Sequence, residues 1–189
     1  MTSSHPAPEL LGEHPLHGFF HDLVREVVPS ETGIGEPRTL EYLAELLLRF
    51  AFTAQLYRFR DLAGRRLFQV AEMLAEAGQP LGEEHAWRER ELRQHVGDFT
   101  LFWVGVFPEA LPRLQARSSL DSLIDYVREG RRAYHQVSLI PDEPYRSQAS
   151  LFRRLSRHFE RLALGLHATR AEWERQAAVN FERLRVSLP

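Results

Sequence analysis

No cysteine occurs among the 189 residues, which removes thiolate zinc sites, iron–sulfur ligation, thiol catalysis and disulfide staples together. A cysteine-free chain suits a reducing compartment, so a cytoplasmic location is expected. Lysine is absent as well, and all 24 basic side chains other than His are Arg. Arg pairs bidentately with carboxylates where Lys does not, which favours buried or interface ion pairs. No apolar run is long enough for a bilayer: the most apolar stretch, Phe99 to Phe107, is about half of the roughly 18 residues that a spanning helix needs. The opening residues lack the basic start and apolar core of a secretion signal, and residues 1–13 read as a flexible leader. Neither Gly33-Ile34-Gly35 nor any other glycine run has the spacing of a phosphate loop. There is no Gly-x-Ser-x-Gly elbow either, so nucleotide hydrolysis and serine-hydrolase chemistry are not expected. A formal net charge of −2 speaks against a phosphate-binding surface. Neither nucleic acid nor membrane is an expected partner.

What the chain does contain is 43% hydrophobic and 26% charged residues, enough to bury a core without metal or disulfide staples. Its apolar positions recur with helical period throughout. A first helix is predicted from Pro15 to just before Pro29, on Leu16, Phe19, Phe20, Leu23, Val24, Val27 and Val28, with a loop from Pro29 to Pro37. A second is predicted from Arg38 to Phe59, apolar on most of its circumference, with a polar stripe at Glu41, Glu45 and Arg49. The third, Asp61 to Ala77, should bury Ala63, Leu67, Val70, Ala71 and Leu74 and end at Gly78. The fourth should start near Gly82 and run through Gly97 to Phe107, where Pro108 ends or kinks it. The loop Pro112–Ser119 precedes a fifth helix, Leu120–Leu139. A sixth spans Ser147–His167, and a seventh Ala171–Leu188 with Thr169 as its N-cap. With no alternating run, repeat or long linker, the expectation is an all-α, single-domain bundle of six or seven helices over residues 14–189.

Glu91, His95 and Asp98 fall four and seven residues apart, in one stripe of the fourth helix that runs into the apolar segment. Asp98 therefore sits at the mouth of the core, where a carboxylate must be paired or hydrogen-bonded. One reading has it fix helix register through an Arg or a Tyr hydroxyl. The other adds Glu41 and Glu45 and makes a metal or acid/base site, although the Glu-x-x-His repeats of di-iron bundles are missing. His17 and His21, one turn apart after His14, lie opposite the apolar face of their helix and read as an exposed pair. His158 borders the core of the sixth helix, His135 stands alone, and Arg153, Arg157 and Arg161 read as a solvated face interrupted by Glu160.

The stretch Gly97-Asp98-x-x-Leu101-Phe102-x-x-Gly105-x-Phe107-Pro108-Glu109, followed by Tyr126-x-x-x-Gly130-x-x-Ala133-Tyr134, resembles a group of uncharacterised all-helical bacterial proteins. The quoted motifs span residues 97–134, about a fifth of the chain and near its middle, and the resemblance implies no activity. Gly105 on one helix and Gly130 with Ala133 on the next would permit close backbone approach. Tyr126 and Tyr134 would both face that contact, with a phenol within reach of Asp98. The candidate polar core or ligand site is thus Glu41, Glu45, Glu91, His95, Asp98, Tyr126 and Tyr134, with no metal or cofactor called for. The aromatic surplus at Phe99, Phe102, Trp103 and Phe107 points to a non-enzymatic module that binds another protein or itself, as a homodimer. The alternative is a small-molecule or metal site inside the bundle, in an enzyme or sensor, around Glu91, His95, Asp98 and Tyr134.

Overall fold

The computed structural model describes residues 15–51, 53–61, 63–78, 86–116 and 121–186. The expected leader, the start of the fourth helix near Gly82, residues 117–120 and the end of the last helix lie outside these residues; of the loop predicted at 112–119, residues 112–116 are helical. The elements in chain order are α1 (Pro15–Thr32), α2 (Pro37–Phe50), α3 (Thr53–Leu56), α4 (Val70–Ala77), α5 (Ala86–Val106), α6 (Leu111–Ala116), α7 (Tyr126–Val137), α8 (Tyr145–Arg157) and α9 (Phe159–Val186). Short 3₁₀ turns occupy Pro108–Ala110 and Asp121–Leu123. Among the described residues there is no strand, only one isolated bridge between Arg60 and Arg66. No helix among them is long and apolar enough to cross a membrane. One hydrophobic cluster draws on every long helix, with Phe20 and Val24 of α1, Leu43 of α2, Met73 of α4, Phe99 of α5, Tyr134 of α7, Phe152 of α8 and Leu162 of α9. The all-α, single-domain reading therefore holds.

Several predicted boundaries move. Pro29 does not end α1: the one intrahelical bond its missing amide forfeits is to the carbonyl of Arg25, an exposed residue. The helix ends instead at Gly33, whose φ of 68° is open to glycine and whose amide donates to the Pro29 carbonyl. α2 is opened by Glu36, which accepts from the Thr39 amide at 2.8 Å. It stops at Phe50 rather than Phe59, and the segment beyond it packs Tyr57 on Phe99 and Phe59 on His95 of α5. The third predicted helix begins only at Val70. Arg60 and Arg66 bridge each other, with Gly64 between them at φ 83°, and Gln69 and Glu72 make a capping box. Its buried face is Val70, Met73 and Ala77, while Ala63 is exposed. Asp125 caps α7 later than predicted, accepting from the Arg128 amide at 3.0 Å. The break between the last two long helices falls at His158, not near Thr169. Thr169 lies inside α9, is buried, and donates its hydroxyl to the Gly165 carbonyl at 2.7 Å.

α5 is the axis of the molecule, packing against α4, α7 and α9, while α1 lies on α2 and α9, and α8 on α7. Close approach of α5 and α7 comes from Gly97 under the Tyr134 ring and Gly130 under Thr100 and Phe159. A Cβ on Gly97 would stand 2.7 Å from Tyr134. The expected pairing of Gly105 with Gly130 does not occur. Gly105 sits instead against Ala163 and Leu166 of α9.

Candidate functional site

Asp98 lies at the middle of α5 with 4% of its surface exposed. Tyr42 and Arg49 stand seven residues apart on α2, and two helical turns put both on the side facing α5. The Tyr42 hydroxyl donates to Asp98 Oδ1 at 2.5 Å, and Tyr134 of α7 donates to the same oxygen at 2.8 Å. Arg49 Nη2 donates to Oδ2 at 3.1 Å. Gln94 adds a bond to the Tyr42 hydroxyl at 3.2 Å, and the Arg49 guanidinium lies 5.4 Å from the centre of the Tyr42 ring. Both phenols are held well above the ordinary tyrosine range, by burial first and then by the neighbouring carboxylate. Burial pulls Arg49 down, but the Asp98 carboxylate and the two phenols outweigh it and hold the guanidinium firmly charged. Each oxygen of Asp98 thus has a donor, and the cluster ties α2, α5 and α7 together.

Above this cluster is an open pocket of about 220 Å³. Its α5 wall is Glu91, Gln94, His95 and Asp98, a single stripe at helical spacing. Arg49 and Phe50 from α2, with Gln55 and Arg58 from the segment beyond, close it. His95 is 1% exposed and its Nε2 lies 3.0 Å from the Leu56 carbonyl. Since that oxygen only accepts, Nε2 carries the proton. Rings of Phe50, Phe59 and Phe99 surround the imidazole, with centroids 5.0–6.1 Å away. Burial, assisted by the Arg58 and Arg49 charges, lowers its proton affinity to a pKa of about 3, so the ring is neutral at physiological pH. The Arg58 guanidinium stands over the Phe59 ring, 4.6 Å from its centroid. Neither Arg58 nor Glu91 makes a hydrogen bond or ion pair among the described residues, and the Glu91 carboxylate is the strongest charge acting on Arg58.

Of the residues singled out from sequence, Glu91, His95 and Asp98 share this pocket, and Tyr134 lies beneath it as a donor to Asp98. Glu41 and Glu45 do not join them: both are exposed on the outer side of α2. Tyr126 goes elsewhere, donating to Asp121 Oδ2 at 2.6 Å, while Asp121 Oδ1 accepts the Ala71 amide at 2.8 Å. That second polar cluster seats the start of α4. Tyr126 and Tyr134 diverge because eight residues advance a helix by about 800°, some 80° beyond two full turns. His17 and His21 stack at 6.1 Å. Among the described residues no group of three or more His, Asp or Glu could hold a metal ion. Sequence reasoning missed Tyr42, Gln94 and Arg58, and it placed Arg49 in a polar stripe with Glu41 and Glu45. The available signal was the spacing of Tyr42 and Arg49, a donor and a cation two turns apart on a helix otherwise apolar on that side.

The Asp98 oxygens are engaged, and a histidine whose pKa is about 3 is a weak base at neutral pH. No family model, curated protein or solved structure matches the chain.

Proposed function

We propose that the protein is a non-enzymatic helical module that binds a small polar molecule in the pocket between α2, the segment that follows it, and α5. The observation that carries this reading is the pairing of unlike states in one place. The floor is locked by the Asp98 cluster, while Arg58 and Glu91 at the rim are charged and unbonded among the described residues. Evolved binding sites combine a fixed frame with a few convergent polar groups in this way. The aromatic surplus that would motivate self-association is consumed internally: Phe99 and Phe102 are buried, and Trp103 and Phe107 pack against the same core. That favours the pocket over an interface.

The test is a nuclear magnetic resonance titration of the full chain with a panel of small monoanions, monocations and zwitterions. At least one class should shift the backbone amides of Gln55, Arg58, Glu91 and Gln94 saturably, and Gln55→Trp, which fills the pocket, should abolish the shift. Absence of any saturable shift at these amides across the panel would overturn the proposal.

A further inference from the structure

Four charged side chains line the pocket, two of each sign: Arg49 and Arg58 against Glu91 and Asp98. Arg49 and Asp98 are bonded to each other at 3.1 Å and cancel. His95 is neutral, with its Nε2 proton committed to the Leu56 carbonyl. What is left is one cation and one anion, Arg58 and Glu91, each without a bonding partner among the described residues. A monoanion seated on Arg58 would lie beside Glu91 and be repelled. A monocation seated on Glu91 would lie beside Arg58 and be repelled in turn. Only a ligand that carries both signs meets both groups without leaving a like-charge contact.

We infer that the pocket takes a zwitterion of amino-acid size, its carboxylate on Arg58 and its ammonium on Glu91. The size follows from the volume, about 220 Å³, below the roughly 300–1,000 Å³ of sites for drug-sized ligands. Arg58 is suited to its part, because a guanidinium can hold a carboxylate through two parallel N–H donors, and its head stands over the Phe59 ring, 4.6 Å from the centroid. Gln55 and Gln94 supply neutral donors and acceptors to the ligand's middle, and Phe50 an apolar wall. This inference rests on the pocket reading above and specifies its ligand class.

The experiment is isothermal titration calorimetry on the full chain with an ω-amino acid series from glycine to 6-aminohexanoate, the matching alkyl carboxylates and the matching alkylamines. The best zwitterion should bind about tenfold or more tightly than either singly charged analogue of the same length, as expected for a second charge-assisted contact. Arg58→Gln should reduce it to the affinity of the amine, and Glu91→Gln to that of the acid. Neither side chain bonds elsewhere among the described residues, so both variants should keep the circular dichroism of the parent. A carboxylate or an amine that binds as tightly as the zwitterion, and is lost in Gln55→Trp, overturns the zwitterion assignment and leaves the pocket standing. A zwitterion indifferent to Glu91→Gln overturns it too. No binding by any member of the three series overturns the assignment and the pocket reading together.

Discussion

Replacing Asp98 by Ala removes the acceptor of three donors at once, and the geometry sets how much that costs. Two buried phenols, at 2.5 and 2.8 Å from Oδ1, lose a charged acceptor. Each then strands a donor at about 1 kcal/mol or more, the low end for an unmade buried hydrogen bond. Arg49 loses its partner at the same time. Breaking a buried pair costs roughly 3–5 kcal/mol, and the lower figure applies because the Arg49 side chain keeps 25% of its surface in water. The sum is about 5 kcal/mol, a large share of the roughly 5–15 kcal/mol that holds an ordinary domain together. Asp98→Asn keeps an oxygen for both phenols but turns an amide donor toward the Arg49 donor, and should cost about 2–3 kcal/mol. Urea unfolding at neutral pH, with a common slope for parent and variants, reads both numbers. Should the Ala variant lose less than about 1 kcal/mol, or gain stability as carboxylates kept under strain do when removed, the claim that this cluster holds three helices in register is wrong.

The other predictions concern the groups around that cluster. Gly130→Ala places a Cβ against the Thr100 hydroxyl and 2.6 Å from the Phe159 ring, and should lower stability by about 1–3 kcal/mol through overpacking, measurable by thermal unfolding. His95 supplies a pH signature. Its folded-state pKa is lowered to about 3 from the ordinary 6.5, so between these values the unfolded chain takes up a proton that the folded chain refuses. Stability should therefore fall as pH drops through that window, by up to about 1.4 kcal/mol per unit. His95→Gln can still donate to the Leu56 carbonyl and should flatten the slope, as a pH series of urea melts would show.

Helical period was legible because α1, α7 and α8 each bury one coherent apolar face, and no alternating run competes with them. The boundaries were less so. Nothing in the composition of residues 51–59 marks the end of α2, since neither Gly nor Pro intervenes. The break exists because Tyr57 and Phe59 find better packing on α5 than along a continued helix. Thr169 invited an N-cap assignment because its hydroxyl can cap, but inside a helix the same hydroxyl bonds one turn back. In the site, the α5 stripe was readable from intervals of three and four residues alone. Its partners were not: Tyr42, Arg49 and Arg58 sit on elements whose rotation and end points are decided by tertiary packing. Tyr126 failed for a related reason, because Asp121, close by in sequence, offered its phenol a nearer acceptor than Asp98.

The donors that converge on Asp98 are separated from it by 56, 49 and 36 residues of chain. Closing loops of that length costs entropy before any contact can offset it, and such contacts slow folding. During that interval the carboxylate penalises each partly assembled form that takes it from water without all of its donors. A collapsed species with α2 or α7 one turn out of place is thereby raised in energy, so the cluster sharpens the cooperativity of folding as well as the stability of its end point.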